Sequence, residues 1–160
     1  MLLADGQIQQ AGSPSELYEN PRSGFVASFL GGAKVLTGSV AHGKADFGQF
    51  GLSASVDLAD GARVEAFVRP HDVSLEKVAD SNPAKELEGT PSSTGAREAL
   101  VERLVKVGSY VKLSVVLPGG DRLSVQMPRH EVEERGIIQG DRVLLEVRNV
   151  KVSPAIDYVI

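Results

Sequence analysis

Three histidines, a run of glutamates and one Arg-Pro-His-Asp corner are the side chains of this 160-residue chain whose types invite a chemical reading. His42, His71 and His130 stand far apart in sequence, and none has the short spacing by which one strand or helix presents metal ligands. No cysteine is present, so there is neither a thiolate site nor a disulfide framework. Glu131, Glu133 and Glu134 fall on one short predicted helix, with Glu131 and Glu134 facing solvent beside Arg135. Carboxylates do acid–base work when burial or a close like charge shifts them, so this run reads as a solvated helix face. Gly43-Lys44 is the only Gly-Lys pair, and Ala45 follows it. A phosphate cradle needs consecutive backbone N–H groups in a glycine-rich loop, then a lysine and a hydroxyl residue, and no such run occurs.

The corner Arg69-Pro70-His71-Asp72 is the best functional candidate. Pro70 fixes the backbone and Asp72 can cap the turn that follows. Two readings stay open. One is a rigid corner with Arg69 paired to a nearby carboxylate. The other gives Arg69 and His71 to an anion or to a partner subunit.

The elements that must hold these residues are mostly strands. Residues 1–4 read as a strand end, Asp5-Gly6 as a hairpin turn and residues 7–11 as the returning strand. From Val35 the period turns to alternation. Gly38 lies inside that first strand and suggests a bulge or bend. Val64, Ala66 and Val68 point one way, and Glu65, Phe67 and Arg69 the other. Residues 79–97 lose all periodicity and hold one large apolar residue, Leu87, so they read as a mobile surface insertion. Val111, Leu113, Val115 and Leu117 alternate cleanly, as do Leu123, Val125 and Met127 across a Pro118-Gly119-Gly120-Asp121 loop. A short helix from Arg129 to Arg135 is stopped by Gly136, and Val143, Leu145 and Val147 mark the last main strand. Many short strands, glycine turns and one small helix describe a mainly β protein, a small OB-like Greek-key barrel.

The stretch from Gly6 to Gly31 is built differently. Ser13 is an N-cap, Pro14 takes the first helical position and Glu16 completes a capping box. Pro21 ends that helix. Phe25, Val26, Phe29 and Leu30 then repeat at helical spacing up to Gly31-Gly32. This run resembles the end of the ATP-binding domain in importer-type ABC transporters. Their pattern is Gly-x-Ile-x-Gln-x-Gly-(Ser/Thr)-Pro-x-Glu-Leu-Tyr-x-x-Pro, then Phe-Val-Ala-x-Phe-(Leu/Ile)-Gly. Gly6, Ile8, Gly12, Ser13, Pro14, Glu16, Leu17, Tyr18, Pro21, Phe25, Val26, Ala27, Phe29, Leu30 and Gly31 match it. The departure is Gln9-Gln10, where the family often has an acidic residue first.

The resemblance implies a regulatory β-barrel of the TOBE type over residues 32–160, preceded by a helical remnant of the nucleotide-binding domain over residues 1–31. The opening Leu36-Thr37-Gly38-Ser39-Val40 and the Arg69-Pro70 corner look like that domain. His71 in the corner looks most like the sulfate/thiosulfate-import branch. The resemblance implies a regulatory, dimer-supporting role. The partners would be a second copy of the ATP-binding subunit and, through an ATPase domain upstream of Met1, membrane-spanning permease subunits. It places the protein in the cytoplasm, on the inner face of the membrane. ATP and magnesium belong to that upstream domain, and no cofactor, metal or catalytic residue is expected in this chain. The runner-up is a free-standing oxyanion-binding barrel of the molybdate type. Where those barrels carry a Ser-Ala-Arg-Asn-like run, this chain has Gly31-Gly32-Ala33-Lys34, so Lys34 alone supplies charge to an oxyanion effector. Arg69, His71 and Lys34 are therefore the candidate anion or partner contacts.

Composition narrows the field further. The net charge is −4, against a binder of phosphate backbones. Phe47, Phe50, Phe67, Tyr110 and Tyr158 are scattered, so no stacking platform for single-stranded nucleic acid is expected. No apolar run reaches the length of a membrane span, and the first residues lack the basic start of a signal peptide.

Overall fold

A computed structural model describes residues 1–50, 52–78 and 97–155. The expected insertion at 79–97 lies outside these residues except for Arg97, which opens a strand, and so does the apolar end at 156–160. In chain order the elements are β1 (Leu2–Ala4), β2 (Gln7–Gln10), α1 (Pro14–Glu19), α2 (Gly24–Gly31), β3 (Lys34–Ala41), β4 (Lys44–Asp46), β5 (Ser53–Ser55), β6 (Arg63–Val68), β7 (Val73–Lys77), β8 (Arg97–Val107), β9 (Tyr110–Val116), β10 (Arg122–Pro128), α3 (Arg129–Glu134), β11 (Arg142–Val147) and β12 (Lys151–Pro154). Single 3-10 turns cover Gly48–Phe50 and Pro70–Asp72. The fold is mainly β, as the alternation predicts. The chain forms two compact units, one of residues 1–47, 54–69 and 149–160, the other of residues 48–53 and 70–148.

The first unit holds the β1–β2 hairpin, both early helices and a sheet of order β12-β6-β3-β4-β5. The capping box forms as the sequence predicts: Ser13 Oγ accepts from Glu16 N, and the Glu16 carboxylate accepts from Ser13 N at 2.8 Å. That hydrogen bond from Ser13 N–H favours the ionised form and holds the Glu16 carboxyl below its usual range. Helix α2 starts at Ser23, whose hydroxyl accepts from Val26 N, and ends at Gly32 in the left-handed conformation. Its Val26 and Ala27 are buried. Ala27 and Ala33 form a small cluster with Phe67 of β6, against which Val35 packs. Phe67 lies on the face of β6 opposite Val64, Ala66 and Val68, as the alternation expects, and is buried there because α2 covers that side.

Gly38 departs from expectation. It sits in regular register between β3 and β6, opposite Val64, with no bulge there. A Cβ at this position would lie 2.3 Å from the Asp46 carbonyl oxygen and 2.7 Å from Phe47 Cδ1. Glycine is required here by the close approach of a neighbouring backbone.

The second unit is a five-stranded antiparallel sheet of order β10-β9-β8-β11-β7 with α3 packed on β9 and β10. The alternation in β9 and β10 becomes a buried face of Val111, Leu113, Val115, Leu123, Val125 and Met127. Each such side chain contributes about 1.5–3 kcal/mol of burial, and Val132 and Ile137 extend the core around α3. Arg135, just past α3, donates to the Ser74 hydroxyl at 2.9 Å and the Leu75 carbonyl at 2.7 Å, fastening the helix end to β7.

Candidate functional site

The three candidates divide between the units: Lys34 and Arg69 belong to the first, His71 to the second. Lys34 is exposed at the start of β3, in register with Val68. Arg69 follows β6 and is half-buried. Its guanidinium carbon lies 3.9 Å from the centre of the Tyr18 ring, and one amino group donates to the Tyr18 backbone carbonyl. Arg69 Nε is buried without a hydrogen-bond partner. The rigid-corner reading expected a carboxylate beside Arg69; the described partners are a carbonyl and an aromatic ring instead. A planar guanidinium serves both at once, stacking through its face and donating through its edge. Arg69 thus clamps α1 onto the end of β6. Lys151 of β12 adds a second tie to α1 through the Glu19 carbonyl.

His71 is brought into a different setting. The Pro70–Asp72 turn packs on β10, and the His71 side chain is half-exposed with Nε2 3.8 Å from Asp72 Oδ1. Beside it opens a pocket of about 570 Å³ lined by His71, Ser109, Tyr110, Gln126, Met127, Pro128 and His130, all in the second unit. The β9–β10 register sets Tyr110 opposite Pro128 and Val111 opposite Met127. Arg129 N donates to the Ser109 carbonyl at 2.9 Å, which closes the β8–β9 turn against the start of α3. His130 then stands on the first turn of α3.

Sequence spacing kept His71 and His130 apart; the sheet brings both to one pocket. The signal that could have found His130 is topological, since it needs the turn after β6 to lie against β10. His42 takes the left-handed conformation in the exposed β3–β4 turn and joins neither site.

Two of the three glutamates of α3, Glu131 and Glu133, are ion-paired. Glu133 accepts from Arg129 Nε at 2.9 Å and from Lys106 Nζ at 3.5 Å, and the Arg129 hydrogen bond above all holds its carboxyl below the usual range. Glu131 is half-buried and lies 3.3 Å from Arg135, which corrects the expectation that it simply faces solvent. Among the described residues no group of three or more His, Asp or Glu side chains is placed to hold a metal. No helix among them is long and apolar enough to cross a membrane.

Two antiparallel sheets with a short helix before the last main strand of the second define the class. Residues 66–152 match the TOBE domain, and the chain belongs to that family. Nearly its whole length is similar to a part of larger proteins. It is 33% identical to the sulfate/thiosulfate import ATP-binding protein CysA of Gloeobacter violaceus, over 98% of this chain and 38% of that protein. It is 32% identical to CysA of Burkholderia pseudomallei, over 97% of this chain and 41% of that protein. It is 32% identical to CysA of Bacillus cereus (strain ATCC 14579), over 100% and 42%. The matched part is C-terminal in these relatives, and the chain spans about two-fifths of their length. In fold it is similar to the cytoplasmic molybdate-binding protein ModG, with a TM-score of 0.59 at 19% identity, over 76% of this chain and 95% of that one.

Proposed function

We propose that this chain is the regulatory, dimer-supporting C-terminal part of the ATP-binding subunit of an importer for sulfate or thiosulfate. The observation that carries the reading is its similarity, end to end, to the C-terminal part of sulfate/thiosulfate import ATP-binding proteins. On this reading residues 1–31 close the nucleotide-binding domain and residues 32–160 form the regulatory part. ATP and magnesium bind in the remainder of the subunit, which also docks on the permease. A second copy of the subunit is the partner of the regulatory part, and the assembly sits on the cytoplasmic face of the membrane. The chain itself performs no catalysis. Arg69 serves the internal clamp, while Lys34 and His71 are the groups offered to an effector or partner.

The test is a chimera in which this chain replaces the matching part of the Bacillus cereus relative. Sulfate uptake well above that of the C-terminally deleted subunit is expected. A chimera that folds and binds ATP yet imports no more than the deletion refutes the assignment.

The fold likeness to a molybdate-binding protein favours one second reading, a free-standing oxyanion-binding barrel. Calorimetry of the purified chain with sulfate, thiosulfate and molybdate separates the two: strong binding of molybdate favours the second. The replacement of a Ser-Ala-Arg-Asn-like run by Gly31-Gly32-Ala33-Lys34 weighs against it.

A further inference from the structure

The pocket beside His71 has a composition that the transport reading does not use. Met127, Pro128 and Tyr110 give its lining an apolar part. His71, His130, Ser109 and Gln126 give it a polar part. No carboxylate is among the lining residues. Of the guanidinium groups near it, Arg129 is engaged with Glu133 and Arg135 with Ser74, Leu75 and Glu131. The two imidazoles are the groups of the lining itself that can carry positive charge toward a ligand, with exposed Lys112 opposite Gln126 and exposed Arg148 beside Asp72 as further cations nearby. At about 570 Å³ the open pocket is larger than a bare tetrahedral ion fills. Its apolar part rewards a ligand with a hydrocarbon body.

We infer that this pocket binds a small organic anion, its acidic group held by His71 and His130 and its apolar body seated on Met127, Pro128 and Tyr110. Ser109 and Gln126 supply neutral hydrogen bonds that orient the acidic group. The inference adds a ligand to the proposed regulatory role and rests on that reading only for its regulatory meaning. Binding to the isolated chain is read separately from uptake by the chimera, so either can fail alone.

The test follows amide and imidazole NMR signals of the full chain during titration with benzenesulfonate, which stays anionic throughout. Benzenesulfonamide serves as the neutral isostere and sulfate as the head group alone. Benzenesulfonate is expected to shift the signals of His71, Tyr110, Gln126 and His130. It should bind about tenfold more weakly to the His71→Gln, His130→Gln double variant, the loss of charge-assisted contacts. Both histidines are exposed on their elements, and unchanged signal dispersion reports that the variant folds. The proposal is overturned if these signals do not move, if the sulfonamide or bare sulfate binds as tightly, or if the double variant binds equally well.

Discussion

If Arg69 is a clamp on α1, removing it should loosen that helix by an amount the structure sets. Arg69→Ala deletes a charge-assisted hydrogen bond to the Tyr18 carbonyl, worth about 1.5–3 kcal/mol. It also deletes the stacking over the Tyr18 ring, worth about 0.5–2 kcal/mol at a separation of 3.9 Å. Against these stands relief of the buried, unpartnered Nε, about 1–3 kcal/mol. Taken at the middle of these ranges the net cost is about 1.5 kcal/mol, or roughly 3–6 °C in Tm for a chain of this size. The ring contribution can be isolated. Tyr18→Leu removes the ring and keeps the backbone carbonyl, so the coupling between Arg69→Ala and Tyr18→Leu reports the stacking alone, about 1 kcal/mol. Urea unfolding measures the four variants, and hydrogen exchange at Leu17 and Asn20, whose amides bond to the Ser13 and Glu16 carbonyls, reports loosening of α1 itself. A single variant within about 0.5 kcal/mol of the parent, with no coupling to Tyr18, would refute the clamp and return Arg69 to the pool of ligand-binding cations.

Three further outcomes are expected. Gly38→Ala drives a Cβ to 2.3 Å from the Asp46 carbonyl, where a backbone rather than a pliable side chain must yield; a loss of about 3 kcal/mol and a Tm drop of about 6–12 °C should appear in thermal melts, with exposed Thr37→Ala nearly neutral as control. Asp141 accepts from Ile138 N at 2.9 Å and lies 3.1 Å from Lys77; chiefly the Ile138 hydrogen bond holds its folded-state pKa below the ordinary 3.8. Glu16, Glu102 and Glu133 are lowered from 4.5 in the same sense. In each case the unfolded chain binds the proton more readily, so stability is fully present above the unfolded pKa and is lost as pH falls through the folded value. Melts from pH 7 to pH 3 should be flat to about pH 5 and then decline, and Asp141→Asn should begin less stable at pH 7 and decline less steeply; an unchanged slope in the variant removes Asp141 from the acid response. The chain alone should show no ATP turnover, checked by phosphate release across a gel-filtration peak; activity that follows the protein through repurification counts against the proposed function.

The local chemistry of the sequence was enough for most of the elements. Ser13, Pro14 and Glu16 specify a helix start within four residues, because capping satisfies backbone groups locally. The alternation of Val111, Leu113 and Val115 with polar neighbours specifies a strand with one buried face, because side chains on a strand point to opposite sides in turn. Fifteen residues between Gly6 and Gly31 carry the family resemblance without any tertiary information, and the similarity of nearly the whole chain to sulfate/thiosulfate import ATP-binding proteins bears it out. Other features depend on which elements meet, and no window of sequence states that. Gly38 read as a bend, yet its need for glycine comes from a carbonyl eight residues away that only the β3–β4 pairing delivers. The alternation put Phe67 on the second face of β6, and only the packing of α2 shows what buries it there. The partner of Arg69 is 51 positions away on a helix, and its most direct contact is a backbone carbonyl, which every residue possesses and no residue type announces. His71 and His130 share a pocket because strand pairing and turn packing cancel the distance along the chain between them. Periodicity and caps are set by neighbours in sequence, so the sequence alone determines them; clamps, close approaches and pockets are set by neighbours in space, and the tertiary structure decides those.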